Sequence, residues 1–107
     1  ADVDIYEGYP VTINNPELTA QMLPSLESVA GADNVKILPK ITGAEDFSFY
    51  ALQVPGLFVF LGGTPEGKDP KKAPSNHSPY FFADESSFKT GTAVLTQLTL
   101  DYMAQAK

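Results

Sequence analysis

Few side chains in this sequence could do chemistry, and they fall in three short stretches. "SNHSPYFF", residues 75–82, holds the chain's single histidine, His77. An imidazole there could act as a general base or bind a metal, although a lone loop histidine is more often an ordinary surface residue. "TGAEDFSFY" places two adjacent carboxylates, Glu45 and Asp46, after a glycine and before an apolar run. Acidic residues at a helix start answer the positive end of its dipole, and the same junction is where sites gather in α/β proteins. A metal centre asks for three or four ligands. With no second histidine, no cysteine, and Glu45, Asp46 and Glu85 at no metal-motif spacing, the residues alone do not specify one.

The third stretch imitates a phosphate loop. "GGTPEGKD" sets Gly62, Gly67 and Lys68 at the G-x4-G-K spacing. The motif needs Ser or Thr next and a helix whose amides face the phosphates. Asp69 puts negative charge there instead, and "PKKAP" cannot open a helix, so the nucleotide reading is rejected.

These residues need elements to position them. Val3 and Ile5 alternate with Asp2 and Asp4, and residues 2–13 read as a strand interrupted or ended near Gly8 and Pro10. "NNPELTAQMLPSLESVAG" reads as a helix, with Asn15 at the N-cap, Pro16 in the first turn, Leu18, Met22, Leu26 and Val29 at helical spacing, and Gly31 as the stop. Pro24 lies inside it and predicts a kink. "NVKILP" reads as a short strand and residues 44–53 as a short helix, while "LFVFL" has the look of a strand covered on both faces. Residues 64–83 form a loop with four prolines, long enough to expect a function. The longest helix is expected from Asp84 to Ala106, capped by Asp84, with Gly91 marking close packing. The order β-α-β-α-β-loop-α predicts an α/β fold, a partial doubly wound sheet. "VKIL" and "LFVFL" are expected to pair in it, with His77 and Glu45 on one side of its carboxyl edge.

Composition narrows the function classes. The 107 residues make at most one domain, and 43% hydrophobic content is enough for a core. Thirteen acidic against seven basic residues give a net charge of −6, which argues against a nucleic-acid surface. The absence of cysteine fits a reducing, cytoplasmic setting. "GLFVFLGG" is too short to span a bilayer. The chain opens on Ala1 rather than methionine, and is expected to be processed or cut from something longer.

"GAEDFSFYALQVPGLFVFLGG", a proline-containing loop, and then "NHSPYFFADESSFKTGTAVL" together resemble the C-terminal part of the metal-dependent amidohydrolases. These include aminoacylases, hippurate hydrolase, auxin-conjugate hydrolases and carboxypeptidase G-like zinc peptidases. The order of a G-[SA]-E-D-F segment, a V-P-G-x-F strand and an H-x-P segment carries the likeness. "YPVTINNPELT" resembles the family's passage from its lid domain back into its catalytic domain. The resemblance implies residues 1–12 as a remnant of the lid and dimerisation domain, and 13–107 as the C-terminal part of the catalytic domain. It implies His77 as a metal ligand, with zinc or manganese as the cofactor, and Glu45, Asp46, Gly62 and Gly63 near the substrate.

The implied substrate is an N-acyl amino acid or small peptide, and the implied assembly a homo-oligomer, with neither nucleic acid nor membrane as partner. The family's other ligands and general-base glutamate lie in an N-terminal half outside these residues. No catalytic residue is therefore assigned here, and the chain alone is expected to be inactive and to hold no metal stably. The alternative is a small non-catalytic α/β interaction module.

Overall fold

Asn15 opens the first helix. Its side chain accepts a hydrogen bond from the Leu18 amide at 2.8 Å, and Pro16 follows in the first turn, where a missing N–H costs nothing. In a computed structural model, which describes residues 1–6 and 8–105, this helix α1 spans Pro16–Ala30 and runs unbroken past Pro24. It stops at Gly31, whose φ of 84° suits a residue without a Cβ and whose amide reaches the Glu27 carbonyl at 2.9 Å. A 3₁₀ turn, Ala32–Asn34, follows. Helix α2 is one short stretch, Phe47–Ala51. Pro70–Lys72 forms a second 3₁₀ turn, and α3 runs Ser86–Gln105. The expected end of α3 at Ala106 lies outside the described residues.

The strongest packing joins α1 to α3. Ser25 donates to the Asp101 carboxylate at 2.6 Å, and Gln21 donates to Gln105 at 2.8 Å. Those two pairs run in opposite sequence directions, so the helices are antiparallel. Met22 and Leu26 are the buried apolar side chains of the described residues, with Ser25 buried between them. Leu61 lies over the first half of α3, where Gly91 makes room: a Cβ there would stand 2.6 Å from the Leu61 Cδ2.

A second cluster surrounds α2. The Asn14 side-chain amide donates to the Phe58 carbonyl and accepts from the Phe58 amide, both at 2.8 Å. The Asn15 amide reaches the Gly56 carbonyl at 2.9 Å. Phe47 lies 5.4 Å from Phe58, and Phe58 meets Phe60 edge to face at 5.1 Å, centroid to centroid. Gly56 is close beneath Phe47, where a Cβ would come within 3.0 Å of the ring.

The expected α/β sheet is not present. Among the described residues there is no strand, and α1 and α3 pack on one another rather than on a sheet. In the three segments read as strands, residues 2–6, 8–13, 35–38 and 57–61 are irregular. Val35 has extended angles (φ −85°, ψ 119°), but Ile37 is fully exposed. Phe58 spends its N–H and C=O on a side chain, not on "VKIL". An apolar run expresses a preference for burial; a strand also needs a ladder partner, and these segments do not supply one to each other.

The result is a thin, open molecule, 56 × 41 × 19 Å, with a radius of gyration of 16.6 Å. A compact domain of this length has a radius near ~13 Å. Its accessible surface is 9288 Å², where a compact protein of this mass exposes about 5,800 Å². No helix among the described residues is long and apolar enough to cross a membrane.

Candidate functional site

The acidic pair stands at the entry to α2. The Glu45 carbonyl accepts both the Ser48 amide at 3.1 Å and the Ser48 hydroxyl at 2.6 Å. Ser48 has no exposed surface at all. The Asp46 carbonyl takes the Phe49 amide at 3.0 Å, while the Asp46 side chain makes no capping bond. Helix entry is thus held by the Glu45 carbonyl and Ser48. The Asp46 carboxylate is exposed.

His77 is exposed on the long loop. The loop is closed at its base, where the Asp84 amide donates to the Gly63 carbonyl at 2.8 Å. Gly63 also sits against Ala83; a Cβ there would lie 3.3 Å from the Ala83 Cβ. Gly62, its neighbour, is exposed, with open space where a Cβ would be. Asp84 then starts α3, its carboxylate accepting from the Ser86 amide at 2.9 Å. The Ser86 backbone bond, and secondarily the Ser86 side chain, hold the Asp84 carboxyl below the usual aspartate range.

Within the loop the bonds are local. Ser78 donates to the Ser75 carbonyl at 2.9 Å, Phe81 to the Ser78 carbonyl at 3.0 Å, and His77 to the Ser75 hydroxyl at 3.4 Å, all through backbone amides. The stretch that imitates a phosphate loop turns at Gly67 (φ 77°) and enters the 3₁₀ turn with the Asp69 carboxylate bonded to the Lys71 amide at 3.0 Å.

The five predicted site residues are not gathered into one centre. No three His, Cys, Asp or Glu side chains among the described residues are grouped to hold a metal, so the residues present do not fit a metal centre by themselves. Two grooves are formed elsewhere. One, of about 430 Å³, lies between residues 11–16 and the α2 segment 48–56. The other, about 310 Å³, is lined by Lys68, Asp69, Lys72 and Phe82 among others. Neither is lined by Glu45, Asp46, Gly62, Gly63 or His77. The sheet edge expected to carry His77 beside Glu45 is not present among the described residues.

Two residues that organise the site went unread in the sequence. Asn14 substitutes its side-chain amide for a neighbouring strand, and Ser48 locks the acidic pair to α2. A signal for Asn14 was present in the doubled asparagine, of which only Asn15 is needed as a cap. Ser48, three residues after Glu45, stands where a hydroxyl can bond back to the preceding turn.

Comparison with known proteins places this geometry in context. The model of the family described as peptidase family M20/M25/M40 matches residues 1–101. Thermostable carboxypeptidase 2 of Saccharolobus solfataricus is 35% identical over 94 residues, which covers 88% of this chain and 23% of that protein. IAA-amino acid hydrolase ILR1-like 4 of Arabidopsis thaliana is 30% identical over 111 residues, covering 100% of the chain and 25% of that protein. The chain therefore spans about a quarter of the length of these relatives. No solved structure matches it significantly.

Proposed function

Because the chain belongs to peptidase family M20/M25/M40, we propose that it forms part of the catalytic unit of a metal-dependent amidohydrolase that cleaves the amide bond of N-acyl amino acids or small peptides. The observation that carries this reading is the family match across nearly the whole chain, together with relatives named carboxypeptidase and amino acid hydrolase. Those names share one chemical feature, an amide bond next to an amino acid. Residues 1–12 are the end of a lid and dimerisation domain, and 13–107 contribute to the catalytic domain.

His77 is this chain's contribution to the metal, zinc or manganese, and a single exposed imidazole is a contribution rather than a centre. No chemical step is assigned to a metal here. Glu45 and Asp46 accept hydrogen bonds from polar groups of the substrate, on a helix entry that the buried Ser48 keeps in place. Gly62, with open space around its Cα, lets a substrate's backbone approach closely.

The purified chain, assayed on N-acetyl amino acids with zinc or manganese added, is expected to show no turnover, and calorimetry no stoichiometric metal binding. Metal-dependent hydrolysis by the chain alone, lost in His77→Ala, would contradict the reading.

A further inference from the structure

The loop between Gly63 and Asp84 builds a groove of its own. Every residue lining the groove of about 310 Å³ lies between 64 and 82. Thr64 and Phe82 come from the two legs of the loop, beside the neck where the Asp84 amide meets the Gly63 carbonyl. Lys68, Asp69, Lys72 and Pro74 are the other walls that matter here.

The backbone that carries the two lysines is set by consecutive turns. The Pro65 carbonyl accepts from the Lys68 amide at 3.1 Å, and the Asp69 carboxylate from the Lys71 amide at 3.0 Å. The Asp69 carbonyl then accepts from the Lys72 amide at 3.0 Å, and the Pro70 carbonyl from the Ala73 amide at 3.4 Å. Pro65, Pro70 and Pro74 restrict the stretch further, because each fixes its own φ. A segment already ordered in this way loses less freedom when a ligand arrives.

The groove's charge is opposite in sign to the molecule's. The chain carries −6, yet two lysines and one aspartate line the groove, leaving one positive charge in excess. Asp69 is also engaged by the Lys71 amide. One carboxylate balances that excess, whereas a phosphate dianion overshoots it. Among the described residues no α-helix begins between 64 and 82 to cradle a phosphate. The rest of the wall is apolar, with the ring of Phe82, 66% exposed, as its largest surface. Apolar walls with a few convergent polar groups are the usual form of a small-molecule site, and the volume stands at the lower end of their range of about 300–1,000 Å³.

We propose that the groove within residues 64–82 binds a small apolar monocarboxylate, with its carboxylate against Lys68 and Lys72 and its apolar body against Phe82. This goes beyond the amidohydrolase reading and does not depend on it.

Benzoate is a suitable probe, added to the purified chain and followed through backbone amide resonances. The amides of Lys68, Lys72 and Phe82 should shift together and saturate. Benzamide, the neutral counterpart, should bind about tenfold more weakly, and inorganic phosphate should not displace benzoate. Lys68→Gln with Lys72→Gln should weaken benzoate about tenfold, and Phe82→Ala about fivefold. Lys36→Gln with Lys40→Gln makes the same change in net charge at exposed positions outside the loop, and should leave binding unaltered. The absence of a saturable shift, equal binding of benzamide, displacement by phosphate, or equal loss in both lysine pairs would overturn the proposal. So would benzoate binding unchanged in Phe82→Ala. The wild-type titrations decide the matter even where a variant fails to fold, and no outcome depends on hydrolysis.

Discussion

The α1–α3 pair and the loop from Gly63 to Asp84 are held in opposite ways. In the helix pair, Ser25 and Asp101 bond across 76 residues of sequence, next to the buried Met22 and Leu26. In the loop, each backbone bond described spans two or three residues, and the neck between Gly63 and Asp84 is what ties it to the rest. The helix pair therefore fixes where its side chains stand relative to distant ones. The loop's bonds give it a local shape, and His77 stands within that shape. A residue gains chemistry from its neighbours, and among the described residues no group of three His, Cys, Asp or Glu side chains stands ready to hold a metal with His77.

Four changes test this contrast, beginning with the largest effect. Met22→Ala removes a side chain only 2% exposed, and such truncations cost about 2–5 kcal/mol. With so small a buried core, thermal unfolding followed by circular dichroism should show loss of the helix pair. A melt unchanged from wild type would mean that α1 and α3 do not depend on each other. Asn14→Ala removes both bonds to Phe58, each worth roughly 0.5–1.5 kcal/mol. It should release residues 56–58, seen as faster amide exchange at Phe58 with α3 unaffected. Equal acceleration across α3 would erase the distinction between the two clusters.

Next comes pH. The Ser25 hydroxyl, and secondarily Gln97, hold the Asp101 carboxyl below its ordinary value of 3.8. Because the folded value lies below the unfolded one, this contribution to stability is complete above the unfolded value and is lost as pH falls through the folded value. Asp101→Asn should therefore lower stability at neutral pH, where the contribution is complete, change it least once the carboxyl is protonated, and so flatten the acid side of the stability curve. An unchanged acid limb, with helix content followed from pH 6 to pH 2, would remove Asp101 from the account. The smallest effect belongs to His77→Ala, an exposed loop substitution expected to change stability by no more than about 0.5 kcal/mol. A larger loss in the same melt would show that the loop is anchored through His77.

The helices were legible because their causes are local. Asn15, Pro16 and Gly31 mark α1 from within, and Met22 and Leu26 recur at the spacing that buries them. The lack of a sheet among the described residues was not legible because "VKIL" and "LFVFL" state a burial preference but not a partner, and Phe58 bonds to the Asn14 side chain instead. The site was legible only as a list of residue types. His77, Glu45 and Gly62 could be named from motif order, but no spacing in the chain determines what stands beside them.

The account's central claim is that this chain supplies part of an amidohydrolase catalytic unit, with His77 as its chemical contribution. The most direct measurement replaces the matching quarter of thermostable carboxypeptidase 2 with residues 1–107 and follows amide hydrolysis by the folded chimera with zinc or manganese. The account predicts measurable turnover with His77 in place and at least a hundredfold loss in His77→Ala, with equal melting temperatures for the two chimeras. A folded chimera that is inactive, or equally active with and without His77, would contradict it.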